Sequence, residues 1–545
     1  MTTSVSQPIN PDDLKNAHVI RTLIVLLLFG AGIFARIPLA NAPFVNLEYW
    51  YSQSAEIISS GLGFSQSVGY LNDGFNNPLL SVIAIAGSQR LFGFAEWSSR
   101  LVSIAAWIFG VGIVYIAATK LWTPLVGALS AVLFGGFPLF WVYGGLAYPD
   151  VPFTAAITVA LLISGVAASQ RSSGLHFLAA LLFGMASLIR YNAVMFAPVV
   201  VLFVFLIERD QNGGSLNLET WLRAAKILLI YVFVGGTLLV PYLLWTRETV
   251  GAILVPGLVH VASSELLIQA LTALPRLGAY VIWIGVFLGP LGLGVLWELN
   301  SNCRKSMLRK VALIAIPINI LLILAIDYSE AHVGQLFGEL QLGWVERVFP
   351  DYLISFLRFG LLCLGEIGIL GLVMWGRKRL WPNRFMALWM LLPLLGQSFY
   401  RGAQRYTMFV LPPLAIYLGW MLSHWLKSKQ HKFAALILIG HVLIFFSLGI
   451  FTSSYFAVEG HAAADVAAYI NEQQLHGLAF SRHNPVLTNS AYLVEKSLFA
   501  QPDASPSYET VALGSSAAVE DALFVRDVEL LGVIFKRYAI VESRP

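Results

Sequence analysis

Thirteen stretches of this chain are long and apolar enough to cross a lipid bilayer, and that leaves few ways to fold it. A crossing helix needs about 20 mostly apolar residues, because in hydrocarbon every backbone N–H and C=O must be satisfied within the segment. The runs are 19–39, 99–119, 123–143, 150–168, 174–189, 191–207, 225–246, 277–297, 311–327, 351–375, 385–399, 406–425 and 433–455. Arg190-Tyr191-Asn192 separates two of them and marks a turn. Composition agrees. Hydrophobic residues make up 57% of the chain and charged residues 12%, against roughly 45–50% and about 25% in soluble domains. The chain reads as an all-α polytopic membrane protein.

Charge gives it a direction. Short cytoplasmic loops are enriched in Lys and Arg. With the N-terminus inside, the inner segments hold 18 of the 34 cations, including Arg171, Arg223, Arg304, Lys305, Arg309, Lys310, Arg377 and Lys378. An odd number of spans then leaves 456–545 outside. Ala40-Asn41-Ala42 is similar to a signal-peptidase site, but Arg36 and the length of the run favour an uncleaved anchor. The expected location is a bacterial inner membrane with an extracytoplasmic C-terminal domain. Cys303 and Cys363 are too few for a disulfide framework.

The organisation expected is a transmembrane domain, 1–455, with a first outer loop at 40–98, and a small α/β tail domain, 456–545. In the loop, Glu48 to Ser60 and Pro78 to Phe92 read as helices. In the first, Glu48, Ser52, Glu56 and Ser59 share one face, the pattern of a helix lying in the interface. In the tail, Asp465–Glu472 reads as a helix, and Pro485–Thr488 and Arg537–Val541 as strands. The longest inner connection, about 208–224, is too short for a nucleotide-binding domain. A sugar donor would therefore arrive on a lipid, on the outer face. No nucleic-acid partner is expected.

Several polar residues fall on that outer side. Glu48 starts an outer helix, where a carboxylate complements the helix dipole or serves as a base at the membrane surface. Asp150 opens a span in Tyr148-Pro149-Asp150-Val151-Pro152, as a helix cap or as a functional acid. Arg401 and Arg405 lie four apart and could hold anionic headgroups or the phosphate of a lipid carrier. Tyr51, Asp73, Tyr148 and His260 complete a possible substrate pocket. No His or Cys cluster has strong metal spacing, and a divalent ion is left open.

These residues lie in motifs. Asn46-Leu47-Glu48-Tyr49-Trp50-Tyr51, then Phe75-Asn76-Asn77-Pro78-Leu79 running to Arg90-Leu91-Phe92-Gly93 and Arg100-Leu101, then Tyr148-Pro149-Asp150, then Arg405-Tyr406 before Leu411-Pro412-Pro413. In order and spacing the chain resembles the GT-C glycosyltransferases of the protein O-mannosyltransferase and aminoarabinose-transferase type (family 39). That resemblance covers most of 19–425 and extends to the tail. It departs at two places: the family's acid pair Asp-Glu is Leu47-Glu48 here, and its paired prolines are Asn77-Pro78.

The resemblance implies a GT-C fold and transfer of a sugar from a polyprenyl-phosphate donor to a hydroxyl acceptor on protein, lipid or glycan, with inversion. Glu48 would be the base. Asp150 would position acceptor or metal. Arg405, with Arg401 and Tyr406, would hold the leaving phosphate. A transporter or lipid flippase, or a silent GT-C-like scaffold, is the alternative. Convergence of Glu48, Asp150 and Arg405 on one cavity separates these readings.

Overall fold

The computed structural model describes residues 30–34, 36–45, 47–67, 78–211, 218–250, 266–302, 315–323, 350–377, 380–399, 404–428, 431–476, 478–480, 508–513, 522–530 and 533–542. The fold is mostly helical. Two helices, α1 (Glu48–Ser59) and α2 (Leu80–Phe92), precede α3 (Glu96–Leu121), α4 (Pro124–Gly136), α5 (Pro138–Tyr143), α6 (Asp150–Gln170) and α7 (Ser173–Ser187). A 3₁₀ turn, Tyr191–Phe196, leads to α8 (Ala197–Gln211) and α9 (Leu218–Val250). Then come α10 (Leu266–Leu288), α11 (Leu291–Asn302), α12 (Asp351–Gly376) and α13 (Trp381–Ser398). A second 3₁₀ turn, Gln404–Val410, enters α14 (Leu411–Leu426), and α15 (His431–Gln473) follows.

Among the described residues, seven helices are long and apolar enough to cross a membrane, or eight if the bent pair α10–α11 counts as one span. Seven of the thirteen expected runs coincide with them: 99–119, 150–168, 191–207, 225–246, 351–375, 406–425 and 433–455. The run 19–39 lies mostly outside the described residues, and 311–327 is described only over 315–323. Others differ for local reasons. Run 123–143 breaks at Phe137-Pro138, because proline has no N–H to continue the ladder. Run 174–189 is the 15-residue α7, started by the Ser172 hydroxyl accepting from Leu175 N. The turn at Arg190-Tyr191-Asn192 is present. Run 385–399 falls on the 18-residue α13 and ends at its C-cap, Phe399.

Run 277–297 needs the largest correction. The chain bends by 101° between α10 and α11. Gly289, at φ +43°, occupies a backbone conformation that favours glycine, and Pro290 follows it.

The centres of α6 and α14 are the most enclosed of the spans, and α9 runs along the periphery. Small residues set the closest helix contact. A Cβ at Gly285 of α10 would land on the Leu361 carbonyl of α12, and one at Gly365 of α12 on the Val281 carbonyl of α10. Close approach through glycine is a common way for membrane helices to pack, since lipid offers no hydrophobic drive between them. Gly365→Ala is expected to lower stability by about 1–3 kcal/mol through overpacking, read as a reduced Tm of the purified protein. An unchanged Tm would mean the helices separate without cost.

The tail departs from expectation at its first element. The segment Asp465–Glu472 is not a separate helix but the end of α15, whose 43 residues run on past position 455. Four strands follow, β1 (Leu478–Phe480), β2 (Tyr508–Leu513), β3 (Ala522–Leu530) and β4 (Val533–Glu542), in the order β1-β2-β4-β3. The β1–β2 pair is parallel and the other two antiparallel. The expected strand Arg537–Val541 lies in β4; Pro485–Thr488 lies outside the described residues. The sheet rests on α15 through Tyr469, stacked on Phe524 at 4.5 Å, and through Tyr538, which donates to the buried Glu459 at 3.1 Å.

Candidate active site

Glu48 opens α1 and is fully buried. Its carboxylate meets Arg100 of α3 in bidentate fashion: Arg100 Nε donates to Oε1 at 2.8 Å and Nη2 to Oε2 at 2.7 Å. Val45 N also donates to Oε2 at 3.0 Å, and Ala147 N to Oε1 at 2.7 Å. A carboxylate has about four lone-pair sites, and four donors occupy them. Arg100 spends its remaining N–H groups on the carbonyls of Leu39, Ala42 (2.6 Å) and Pro43 (3.3 Å). The first half of the polar face of α1, Glu48 and Ser52, therefore points inward rather than to the interface as its polarity suggested, while Glu56 further along the same face is exposed.

This pair ties three segments together: the chain after the first span, α3, and the loop before α6. Ser103, one turn beyond Arg100, donates to the carbonyl of Tyr148 at 3.1 Å. The Tyr148 hydroxyl in turn accepts from Leu47 N at 2.9 Å. Position 47, where the sequence departs from the acid pair, thus touches the second motif through its backbone.

Asp150 is the first residue of α6, after Pro149, and its side chain caps nothing. It faces two guanidinium groups instead. Arg190 Nη1 stands 2.9 Å from Oδ1 and Arg405 Nε 3.7 Å from it. All three side chains are largely or fully buried. Arg190 comes from the turn after α7 and Arg405 from the 3₁₀ turn before α14, so three separate chain reversals meet at one end of the bundle. Neither oxygen of Asp150, nor Nε or Nη1 of Arg190, has hydrogen-bond geometry with a partner among the described residues. One carboxylate faces two guanidiniums, so positive charge is in excess, and hydrogen-bonding capacity is left over, which is unusual for buried groups.

Tyrosines ring the cluster. Arg190 lies over the Tyr406 ring at 4.6 Å, and Arg405 lies near Tyr143, Tyr148 and Tyr406 at 5.7, 5.5 and 5.7 Å. The rings of Tyr51 and Tyr148 are 5.7 Å apart, and those of Tyr143 and Tyr148 5.3 Å. Burial pushes the Tyr51 phenol up to about 12, with the two arginines pulling against it. Burial likewise holds Tyr148 well above its ordinary value, and Arg405 opposes. Both phenols therefore keep their protons at neutral pH. Arg190 stays charged. Burial alone would lower its pKa, but Asp150, then Tyr406 and Tyr51, raise it further, above its usual value.

Of the sequence candidates, Asp150, Arg405, Tyr406, Tyr51 and Tyr148 come together. Glu48 is adjacent, but its oxygens are occupied. Arg401, Asp73 and His260 lie outside the described residues. Sequence reading missed Arg190, Arg100 and Tyr143 as site residues. The signal for Arg190 was present: a cation between two apolar runs, on the side where cations are scarce. As for a divalent ion, one carboxylate beside two guanidiniums does not suit it, since such ions are held by several oxygens. No group of three or more His, Cys, Asp or Glu gathers among the described residues.

With this geometry established, likeness to known proteins can be placed on it. The family described as dolichyl-phosphate-mannose-protein mannosyltransferase matches residues 76–245, a stretch holding Asp150 and Arg190. An undecaprenyl phosphate-alpha-4-amino-4-deoxy-L-arabinose arabinosyl transferase of Pseudomonas aeruginosa is 29% identical over 164 residues, 30% of each chain. Its counterpart in Pseudomonas paraeruginosa is 23% identical over 426 residues, 77% of this chain and 62% of the relative. The matches thus span less than two thirds of these relatives. The crystal structure of ArnT from Cupriavidus metallidurans bound to undecaprenyl phosphate shares the fold, with a TM-score of 0.50 at 12% identity over 96% of this chain and 97% of that one. Family match, curated relatives and fold together bear out the resemblance of this chain to the GT-C superfamily of membrane glycosyltransferases.

Proposed function

We propose that this protein transfers a sugar from a polyprenyl-phosphate donor to an acceptor hydroxyl, and that the Asp150–Arg190–Arg405 cluster is where the bond breaks. The observation that carries the reading is the meeting of two guanidiniums with one carboxylate, each brought by a different chain reversal and ringed by phenols. Relatives of the chain are named for undecaprenyl-phosphate sugar transfer, which fits a cationic end-of-bundle site reached from lipid. The excess of Lys and Arg in the short loops expected to be cytoplasmic supports an extracytoplasmic position for that end.

In the reaction, the acceptor oxygen attacks the anomeric carbon opposite the phosphate. The carbon–oxygen bond to phosphate breaks, and the configuration inverts. The phosphate gathers charge as it leaves, and Arg190 and Arg405 stabilise it there, where water is excluded and preorganised charge acts strongly. Entry of the phosphate draws the guanidiniums away from Asp150. Its oxygens, which lack hydrogen-bond geometry now, then accept the acceptor's proton. Glu48 is reassigned. It positions the loop that carries Tyr148 and Asp150 and takes no proton, because Arg100 and two peptide N–H groups already occupy it. Tyr51, Tyr148 and Tyr406 line the sugar and phosphate subsites.

The test is transfer of radiolabelled sugar from a panel of polyprenyl-phosphate donors to an envelope extract by reconstituted protein. Native protein should transfer label. Asp150→Asn should lose about 10²–10⁴ of the rate, the range for a positioned base, with its fold intact. Full turnover in that variant would remove the base role. Failure of native protein with every donor would favour the transporter or scaffold reading.

A further inference from the structure

We propose that Gln397 accepts a hydrogen bond from a hydroxyl of the donor's sugar and so helps set which sugar is held; the inference rests on the donor-site reading above and deepens it. Gln397 lies in the last turn of α13 and is buried. Its Nε2 donates to the carbonyl of Tyr406 at 3.4 Å. A Cβ at the neighbouring Gly396 would lie 3.9 Å from that of Met195. The end of α13 therefore touches both 3₁₀ turns, the one that follows Arg190 and the one that carries Arg405. An amide held by its nitrogen has its oxygen left to spend, and Gln397 Oε1 is buried with no hydrogen-bond partner among the described residues. A buried acceptor left unpaired is costly and needs an explanation.

Holding the 3₁₀ turn does not supply that explanation. Trp389, two turns earlier on α13, holds the same turn by donating from Nε1 to the Phe409 carbonyl at 3.2 Å. An indole has that one donor and no acceptor, so nothing of it is wasted. Gln397 does a similar task and keeps an acceptor in reserve. What could pair with it is set by chemistry. Oε1 only accepts, so phosphate oxygens, which also accept, are no partner for it; those go to Arg190 and Arg405. The ring of Tyr406, the residue Gln397 holds, lies 4.6 Å from the Arg190 guanidinium and 5.7 Å from that of Arg405. Gln397 is thus one residue removed from the groups assigned to the phosphate, and the sugar is joined to that phosphate through a single oxygen. A ring hydroxyl supplies the missing donor. A site built to bond a substrate hydroxyl discriminates against analogues without it, because its own polar group is then left unpaired.

Equilibrium binding of undecaprenyl phosphate and of its mannosyl and arabinosyl derivatives to reconstituted protein tests it. The readout is the preference for the better-bound derivative over the bare lipid, a ratio in which any change in the grip on phosphate cancels. Native protein should show such a preference. Gln397→Met keeps the bulk and removes both ends of the amide, and should lower the preference about three- to tenfold, the effect of one hydrogen bond. Gln397→Glu keeps an acceptor and gives up the N–H to Tyr406, and should hold the preference within about twofold, a smaller change than one bond brings. If the methionine variant does not fold, Gln397→Asn takes its place with the same expected loss, since its shorter amide cannot hold Tyr406 and reach the sugar together. An unchanged preference in Gln397→Met overturns the inference, as does native protein that prefers neither derivative; both leave the donor-site reading standing. Equal losses in Gln397→Glu and Gln397→Met also overturn it, because the bond to Tyr406 would then be what counts. If undecaprenyl phosphate itself does not bind native protein, the donor-site reading fails and takes the inference with it.

Discussion

Glu48→Ala is expected to destabilise the protein by about 3–5 kcal/mol, the range for breaking a buried ion pair by removing one partner. The size follows from what is left behind. Arg100 would keep its contacts to the carbonyls of Leu39, Ala42 and Pro43, but its charge would be buried with no carboxylate. Val45 N and Ala147 N would lose their acceptor as well. Glu48→Gln is not a silent substitution here. Each oxygen accepts from two donors, so an amide must turn its own NH₂ toward two of them. Both variants should therefore lose thermal stability in proportion to any loss of transfer. A Glu48→Gln protein with native Tm and no turnover would contradict this, and would return Glu48 to the chemistry.

Arg405→Gln and Arg190→Gln should each reduce transfer by about 10²–10³, the loss found when one preorganised donor to a developing anion is removed. Two features raise the expectation above that for a surface cation. Both guanidiniums are largely or fully buried, so their field on a bound phosphate is poorly screened. Both also face Asp150 from different turns, so the loss of one leaves the other pinned by the carboxylate. Lysine should rescue only part of the loss, because an ammonium keeps the charge but not the planar fork that grips a phosphate by two bonds. Turnover within threefold of native for both Gln variants would place the phosphate elsewhere.

Much of this was legible in the sequence, for physical reasons that differ from residue to residue. Membrane helices announce themselves because bilayer thickness fixes their length, and seven runs became long apolar helices where expected. Asp150, Arg405 and Tyr406, which the structure brings together, stood out as candidates because polar residues are conspicuous at the ends of apolar runs. The 101° bend after α10 was not found. Gly289-Pro290 marks it, but apolar residues continue through, and hydropathy does not register direction. Arg100 and Arg190 were missed because their meaning lies in their partners. Arg100 pairs with Glu48 across 52 positions, and Arg190 with Asp150 across the α6–α7 hairpin. The bound state of the Glu48 carboxylate was missed for the same reason. A carboxylate looks available in a sequence until its hydrogen-bond partners are counted.

The most direct measurement of the central claim is equilibrium binding of undecaprenyl phosphate to reconstituted native protein and to the Arg190→Gln/Arg405→Gln double variant, with Glu48 and Arg100 left intact. If the cluster holds the lipid phosphate, the native protein binds and the double variant binds about 100-fold more weakly, with an unchanged helical content, since each charge-assisted contact contributes about 1.5–3 kcal/mol. Equal binding by the two proteins would contradict the account and move the donor site away from Asp150.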